Sequence, residues 1–349
     1  MSLRVALIGY GTGGAVFHAP LISSVPGLTL SAVVTSDPVR QEAVRRRHPG
    51  AAVLDGADRV WDAASSYDLV VVTTPNRLHV PLASAALEAG LPVVVDKPVA
   101  ATAGEARSLG ALAAERGLLV VPFHNRRWDG DFRTVRGLIA EGRLGDVRRL
   151  ESRFERWRPE IKPGWKENAD PAVAGGVLYD LGSHLIDQAV TLLGRPLRVY
   201  AELNTRRAGA VVPDDAFVAL THPGGRISHL WMSAVTPLLG PRFRVLGGDA
   251  GHVAYGLDGQ EDALRAGRTP LDEGWGISPP ESYGVVGTPE HSVPVPTEPG
   301  AYQEFYADVA RAVRGEATPP VALDDAVTAL EVIEAAMRSP REGGVVTLR

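Results

Sequence analysis

The sequence contains no cysteine, and long apolar runs are missing as well. Without cysteine the chain has no disulfide bond, no thiolate nucleophile and no zinc–thiolate site. No stretch approaches the roughly 20 apolar residues that a membrane-spanning helix needs. We therefore expect no membrane span and no signal peptide, and we take a cytoplasmic protein as the default.

An excess of positive charge is also absent. The formal net charge is -5, although residues 45–47 form a local arginine cluster. This balance predicts no nucleic-acid partner. A chain of 349 residues that is 45% hydrophobic and 22% charged is typical of a globular protein, and its length predicts two domains.

A glycine-rich motif follows a short apolar strand near the start of the chain. Gly9, Gly11 and Gly14 match the pattern G-x-G-x-x-G, with a predicted helix at 15–24 and a second strand at 28–34. Gly9 permits a tight turn, Gly11 lets the backbone approach a pyrophosphate, and Gly14 lets helix pack on strand. The helix N-terminus offers N–H groups to phosphates. The motif predicts dinucleotide binding; a glycine-rich turn without ligand is the alternative.

The end of the second strand indicates which dinucleotide binds. An NAD enzyme usually has an acid about 20 residues after the last glycine, where it binds the ribose 2′-hydroxyl. Thr35 occupies that position here, followed by Ser36 and, a little later, Arg40. Two hydroxyls and an arginine suit a 2′-phosphate, which favours NADP over NAD. Asp37 argues for NAD if the strand ends later.

Strands and helices alternate through the first third of the chain, which predicts a doubly wound parallel sheet. The predicted strands are 68–73, 93–95 and 118–121, and the helices are 81–89 and 102–116. Thr73, Thr74 and Asn76 lie where one strand ends, facing the expected cofactor crevice. His79 is a further candidate for that site, or an ordinary histidine at a helix start.

Lys97 directly follows three valines and Asp96. Ligands of parallel sheets collect beyond the carboxyl ends of the strands, where this lysine is expected. A partly desolvated ammonium there can donate to a substrate oxygen or carry a proton. A solvated lysine at a strand end is the alternative.

The second half has a different texture, with strands that alternate and short turns between them. The predicted strands are 149–157, 197–203, 216–221, 226–233 and 243–246. Residues 256–300 are rich in glycine, proline and acids and are expected to form long surface loops. Helices are predicted at about 302–314 and 323–338.

The predicted fold class is therefore α/β: an N-terminal Rossmann domain with a doubly wound parallel sheet, then a C-terminal α+β domain with an open, mostly antiparallel sheet. We place the dinucleotide-binding domain at 1–121 and the substrate and oligomerisation domain at 122–349. The final helix is a candidate to pack back on the first domain.

Asp180 and His184 stand four residues apart in a stretch with helical character. On a helix their side chains meet on one face, and an acid beside an imidazole fixes its tautomer and raises its basicity. His184 is thus a candidate general base or acid. Alternatively, Asp180 caps a helix and His184 is a core histidine. Asp187 extends the set toward a metal site, but no second ligand cluster supports one, so we predict no metal.

Taken together, these motifs resemble the glucose–fructose oxidoreductase / inositol dehydrogenase / MocA (Gfo/Idh/MocA) family. The matching segments are 9–14, 73–76, 96–98 and 176–184. Further segments resemble the NADP-dependent scyllo-inositol dehydrogenase branch of that family: 17–22, 124–129, 178–182 and 184–188.

The resemblance implies a catalytic trio of Lys97, Asp180 and His184. It also implies a second domain whose sheet commonly forms a subunit interface, and hence a homodimer or homotetramer. The acid before the lysine is usually glutamate in the family; here it is Asp96, one methylene shorter. A cis bond before Pro98 is a hypothesis that a structure settles.

The expected reaction is reversible oxidation of a secondary alcohol on a cyclic polyol or sugar. His184 accepts the hydroxyl proton, Lys97 hydrogen-bonds the same oxygen and Asp180 orients His184. A non-catalytic dinucleotide sensor and a redox-assisted glycosidase are the rival interpretations.

The remaining candidates fall into two sets. Cofactor contacts are expected from Gly9, Gly11, Thr12, Gly13, Gly14, Thr35, Ser36, Arg40, Thr73, Thr74, Pro75, Asn76, His79, Asp96, Lys97, Pro98 and Asn125. Substrate contacts are expected from His124, Arg127, Trp165 and Tyr179.

Overall fold

A parallel sheet forms the core of the first of two compact units. The structure is a computed structural model that describes residues 2–161 and 174–348. The strands of this sheet are β1 (Leu3–Ile8), β2 (Leu28–Val34), β3 (Ala52–Leu54), β4 (Leu69–Val72), β5 (Val93–Asp96) and β6 (Val120–Phe123). Their order is β3-β2-β1-β4-β5-β6, and every pair is parallel. The strand order therefore reverses between β1 and β4, which is where such sheets bind ligands.

Helices follow the strands of this unit, as the alternating pattern predicts. They are α1 (Ala19–Ser24), α2 (Pro38–Arg47), α3 (Asp58–Asp62), α4 (His79–Glu88) and α5 (Ala103–Arg116). Asp37 starts α2 by accepting hydrogen bonds from the backbone N–H of Val39 and Arg40. Thr102 and Glu105 form a capping box at the start of α5. These side chains satisfy N–H groups that a helix end leaves without partners.

Later parts of the chain complete the first unit, which consists of residues 1–125, 259–275 and 301–326. They contribute α8 (Gln260–Arg265) and α9 (Tyr302–Val313). The side chains that α9 buries include Tyr302, Phe305 and Tyr306. The first unit is thus built from distant segments, and a domain boundary at residue 121 stays a prediction.

The second unit consists of residues 126–258, 276–300 and 327–349 and contains a larger sheet. Its described strands are β7 (Arg149–Glu155), β8 (Arg198–Asn204), β9 (Asp215–Thr221), β10 (Ile227–Ser233), β11 (Phe243–Leu246), β12 (Gly251–Ala254), β13 (Gly284–Gly287), β14 (Ser292–Val295) and β15 (Val346–Thr347). Their order is β14-β13-β12-β11-β7-β10-β9-β8-β15. The pair β7–β10 is parallel and the other pairs are antiparallel. The predicted fold class is confirmed.

One face of this sheet is covered and the other is more open. Along β10, Ser228, Leu230 and Met232 are buried, whereas His229 and Trp231 are partly exposed. This alternation is the one expected of a sheet that packs on one side. The helices of the unit are α6 (Gly130–Ala140), α7 (Ser183–Leu193) and most of α10 (Leu323–Glu342). Of these, α7 packs on β7 and β10.

The expectation of long loops over residues 256–300 is wrong for part of that stretch. It contains α8 and the two strands β13 and β14, which extend the sheet at its edge. Pro294 lies within β14, opposite Val285. An edge strand tolerates proline because one of its sides needs no ladder partner, so a composition typical of loops is compatible with a strand here.

Among the described residues, none of the helices combines the length and the hydropathy needed to cross a membrane.

Candidate active site

The glycine loop lies directly against the end of β4. Gly9 has a φ of +105°, and a Cβ placed on it would lie 2.5 Å from the carbonyl oxygen of Thr73. A Cβ on Gly14 would lie 2.2 Å from the carbonyl oxygen of Gly9. Larger residues are excluded at both positions because their Cβ atoms would clash with backbone atoms. The loop therefore has the conformation that the sequence motif predicts.

The other side of this loop is open and bordered by an arginine. A Cβ on Gly11 would meet a single group within 4 Å, the Nη1 of Arg40 at 3.9 Å. The Arg40 side chain is about half exposed, at 52%. Open space over backbone N–H groups beside a guanidinium fits a phosphate. The residues present thus fit a dinucleotide phosphate.

The residues at the end of β2 have separate tasks. Asp37 caps α2 and lies 3.6 Å from the Nε of Arg40. Thr35 is buried, and its hydroxyl lies 3.4 Å from the backbone N of Asp37. Ser36 is exposed. Asp37 Oδ1 is therefore engaged in the helix cap, Ser36 presents its hydroxyl to solvent, and the Arg40 guanidinium lies near the glycine loop.

His79 joins the turn after β4 to the turn after β5. Its ring is buried, with Nε2 at 2.8 Å from the carbonyl oxygen of Thr74 and Nδ1 at 2.8 Å from that of Pro98. Pro75 precedes a short helical turn, Asn76–Leu78, that leads into α4. His79 thus fixes two loops of the candidate site relative to each other, and its direct contact with a cofactor stays a prediction.

Asp96 and Lys97 lie at the carboxyl end of β5. Both are partly buried, and the bond between Lys97 and Pro98 is cis, in agreement with the hypothesis from the sequence. The Asp96 carboxylate accepts from the Lys97 backbone N at 2.8 Å and from the Thr73 hydroxyl at 3.1 Å. Burial alone would raise the pKa of Asp96, but the imidazole of His18, with the nearby charges of His79 and Lys97, holds it well below its ordinary value. Asp96 is therefore a fixed anion beside Lys97.

His184 and Asp180 belong to the second unit. Leu178–Gly182 is a π-helical turn that continues into α7, so Asp180 lies in the wide turn and His184 in the α-helix. His184 is buried, with its ring stacked on Phe154 at 6.4 Å between centroids. The predicted helix is present, but its first turn is wider than an α-helical turn. Such π-helical insertions are frequent at functional sites.

The first unit has a similar turn. Gly13–His18, directly after the start of the glycine loop, is also π-helical and continues into α1. Both π-helical turns of the described chain therefore fall on segments that the sequence analysis selected as candidate sites.

The predicted substrate residues have different surroundings. The Arg127 guanidinium donates two hydrogen bonds to the Asp187 carboxylate, at 2.9 and 2.6 Å. Tyr179 is buried, and its hydroxyl lies 3.7 Å from the sulfur of Met337. His124 and the predicted cofactor residue Asn125 are buried after β6. Trp165 lies outside the described residues.

Sequence reasoning missed a group of residues behind Asp96. His18 is fully buried, with Nε2 at 3.6 Å from Asp96 Oδ2 and Nδ1 at 2.5 Å from the Tyr306 hydroxyl. His18 is part of a segment, 17–22, that carries the family resemblance, which was a signal for its importance. Nothing in the sequence connects Tyr306 with it.

A metal centre finds no support in the arrangement of acidic and imidazole side chains. Within residues 2–161 and 174–348, no group of three or more such side chains is placed to hold a metal ion.

The chain matches both domains of one oxidoreductase family. "Oxidoreductase family, NAD-binding Rossmann fold" (GFO_IDH_MocA) covers residues 3–124, and "Oxidoreductase family, C-terminal alpha/beta domain" covers residues 136–348. A scyllo-inositol 2-dehydrogenase (NADP(+)) of Bacillus subtilis, IolW, is 38% identical over 99% of this chain and 96% of its own. An uncharacterized oxidoreductase of Escherichia coli, YdgJ, is 39% identical over 99% of both chains.

Solved structures agree with the sequence comparison. An oxidoreductase of Bacillus subtilis, yvaA, superposes with a TM-score of 0.94 at 37% identity, over 100% of this chain and 99% of the other. The two units described above are thus found together in a solved relative of nearly the same length.

Proposed function

The chain belongs to the Gfo/Idh/MocA oxidoreductase family and is an NAD(P)-binding dehydrogenase or reductase, and on this premise we propose that it oxidises a secondary alcohol of a cyclic polyol or sugar. The observation that carries the proposal is the position of Lys97. It follows β5, two strands from the glycine loop of β1, and its backbone is held by the Asp96 carboxylate. A cationic donor so placed suits a substrate oxygen beside a nicotinamide.

We propose NADP as the physiological cofactor. Arg40 borders the open side of the glycine loop, Ser36 is exposed at the end of β2, and Asp37 Oδ1 is engaged at the start of α2. A guanidinium and a hydroxyl suit a 2′-phosphate, whereas a free acid at this strand end would suit a 2′-hydroxyl. The relative IolW is named for NADP(+), which agrees with this preference.

Three side chains carry the proton chemistry in this proposal. When it is bound, the nicotinamide supplies the acceptor of the hydride. Lys97 donates a hydrogen bond from Nζ to the substrate oxygen and stabilises the negative charge that develops there. His184 takes the proton of the hydroxyl group, since an imidazole accepts a proton near neutral pH. Asp180 orients the imidazole.

The substrate class rests on the relative's name and on the donor set. A scyllo-inositol dehydrogenase of full-length similarity acts on a ring that carries secondary hydroxyls, and a cationic donor such as Lys97 suits an oxygen of such a ring.

The experiment is a panel of reactions with the purified chain. NADP⁺ or NAD⁺ is mixed with inositols, with aldoses or with glycosides, and absorbance follows the reduced nicotinamide while calorimetry measures cofactor binding. We expect reduction of NADP⁺ by at least one cyclic polyol. Tight NADP⁺ binding without any reduction would replace the dehydrogenase by a dinucleotide sensor, and release of a free sugar from a glycoside would indicate a redox-assisted glycosidase.

We also propose that the open face of the second sheet forms the interface of a homodimer or homotetramer. Phe217 and Trp231 contact each other there at 5.1 Å between centroids, and the Arg153 guanidinium lies 3.9 Å from the Trp231 ring. Aromatic rings and arginine are enriched in protein interfaces.

A further inference from the structure

Tyr306, His18 and Asp96 form a continuous chain of polar contacts in the first unit. The chain ends at the backbone N of Lys97, and the Thr73 hydroxyl also contacts Asp96. The Tyr306 hydroxyl contacts His18 Nδ1 at 2.5 Å, and His18 Nε2 faces Asp96 Oδ2 at 3.6 Å. The same Oδ2 accepts from Thr73, while Oδ1 accepts from the backbone N of Lys97. Both carboxylate oxygens of Asp96 thus make polar contacts.

For a neutral imidazole, the hydrogens of this chain have one consistent arrangement. An ionised carboxylate only accepts, so His18 must carry a hydrogen on Nε2, the nitrogen that faces Asp96. With Nε2 protonated, a neutral ring accepts from the Tyr306 O–H through Nδ1. Burial, and then the charge of Asp96, raise the pKa of Tyr306 well above its ordinary value. The hydroxyl therefore stays protonated and can donate a hydrogen bond to His18 Nδ1.

The imidazole has no freedom to leave this arrangement. His18 is fully buried, and its ring packs on Phe123 at 4.2 Å between centroids. Its Nε2 makes no hydrogen bond in the described chain, and the Asp96 carboxylate that it faces lies 3.6 Å away. A buried N–H without an acceptor is unfavourable, so this nitrogen tethers itself to the one anion in front of it.

The location of Asp96 explains why such a tether is needed. A Cβ placed on Gly13 would lie 2.9 Å from Asp96 Oδ2, so the carboxylate adjoins the loop that we assign to the dinucleotide. Phosphates bound at this loop repel a nearby carboxylate, because like charges at short range are unfavourable. An imidazole N–H behind Asp96 offsets that repulsion and keeps the carboxylate in place.

We propose that His18, with its tautomer set by Tyr306, is the positioning residue that holds Asp96, and through it the Lys97 turn, when the dinucleotide is bound. This rests on the proposed function for the identity of the ligand. The aspartate is one methylene shorter than the glutamate expected from the family resemblance, and the His18 imidazole faces its carboxylate at 3.6 Å. Neither His18 nor Tyr306 needs to touch the cofactor or the substrate.

The test combines one isosteric variant at each position. His18→Phe keeps a ring against Phe123 and removes both nitrogens, Tyr306→Phe removes only the hydroxyl, and Asp96→Asn removes the charge. Tyr302→Phe is the matched control, since Tyr302 is a fully buried tyrosine of the same helix whose ring contacts Phe17. The NADP⁺ dissociation constant is measured by calorimetry for each protein and for the His18→Phe/Asp96→Asn double variant.

We expect His18→Phe to weaken NADP⁺ binding by about tenfold, the effect of losing the polar group that faces the Asp96 carboxylate. Tyr306→Phe is expected to have a smaller effect in the same direction, and Tyr302→Phe none. In the Asp96→Asn background, His18→Phe should change the affinity little further, because the anion that it serves is gone. An equal loss in both backgrounds would overturn the proposal and leave His18 a packing residue.

A spectroscopic measurement needs no turnover and covers the case in which His18→Phe fails to fold. Long-range ¹H–¹⁵N spectra of the histidine-labelled protein report which ring nitrogen carries hydrogen, and His18→Gln, whose amide can still donate to Asp96, assigns the signal. We expect hydrogen on Nε2 in the wild type and an altered Nδ1 shift in Tyr306→Phe. Hydrogen on Nδ1 alone would contradict the inference. Absence of alcohol oxidation, by contrast, would contradict only the proposed function.

Discussion

The Arg127 guanidinium and the Asp187 carboxylate form a two-pronged ion pair, although the residues lie 60 positions apart. The Arg127 side chain is 11% exposed and that of Asp187 2%. Both charges are therefore mostly removed from water and depend on each other. This pairing bears on the predicted role of Arg127 in substrate binding.

We expect Arg127→Met to destabilise the protein by about 3–5 kcal/mol, because it removes the cation that makes two hydrogen bonds to the buried Asp187 carboxylate. Urea unfolding gives the free energy. Arg136→Met, an exposed change on α6, is the control. Unchanged stability together with a large rise in KM would instead make Arg127 the substrate residue that the sequence predicts.

Cofactor choice is expected to depend on Arg40. Arg40→Ala removes the guanidinium beside Gly11 and should weaken NADP⁺ binding by about ten- to hundredfold, the range for hydrogen bonds to charged groups. NAD⁺ binding should stay within about twofold, since NAD⁺ lacks the phosphate concerned. Calorimetry with both dinucleotides measures this.

The matched control for Arg40 lies on the same helix. Arg45 is 56% exposed and pairs with Glu42 at 3.6 Å, so Arg45→Ala changes net charge by the same amount without approaching the glycine loop. Equal losses of NADP⁺ affinity in the two variants would mean that net charge, and not a contact of Arg40, causes the effect. Equal losses of NADP⁺ and NAD⁺ binding in Arg40→Ala would refute the assignment to the 2′-phosphate.

Asp129 makes stability depend on pH. Burial, reinforced by the carboxylates of Asp131 and Asp258, raises the pKa of Asp129 from 3.8 to about 8 despite Arg126 at 3.3 Å. Between a pH of about 4 and about 8, we therefore expect Asp129 to be protonated in the folded chain and ionised in the unfolded chain. This contribution to stability is complete below a pH of about 4 and is lost as the pH rises through about 8.

Asp129→Asn removes that titration. Its free energy of unfolding relative to the wild type should therefore increase between pH of about 5 and about 8, as measured by urea unfolding across this range. A variant that becomes relatively less stable toward higher pH would mean that Asp129 is ionised and held by Arg126.

Local patterns account for the parts of the fold that the sequence predicted well. The glycine loop, the valine-rich β4 and β5, and the alternating β9 and β10 each depend on residues close together in the chain. Hydrophobic period and turn residues report such elements directly. The helical stretch that carries Asp180 and His184 was visible for the same reason, while its wide first turn was not.

Long-range partners were beyond the sequence. Tyr306 meets His18 across 288 positions, and no periodicity or motif encodes that pairing. The sequence likewise does not show that Arg127 pairs with Asp187, so it predicts a substrate-binding role for Arg127. The strands β13 and β14 were missed because each has only four residues and contains the glycine or proline that also marks loops.

The open face of the second sheet is expected to hold subunits together. Trp231→Glu removes the aromatic ring beside Phe217 and Arg153 and adds a charge that association would have to desolvate, so it should shift the protein to monomer in light scattering after size exclusion. Leu271→Glu alters a side chain that is 75% exposed in the other unit and should leave the assembly intact. An unchanged assembly in Trp231→Glu would move the interface elsewhere.

The most direct test of the central claim is the rate of NADP⁺ reduction by scyllo-inositol in Lys97→Met and His184→Asn, with His291→Asn, an exposed histidine, as control. Both site variants should lower turnover by about 10²- to 10⁴-fold while calorimetry still detects NADP⁺ binding. Turnover near the wild-type rate in both would contradict the assignment of Lys97 and His184 to the reaction.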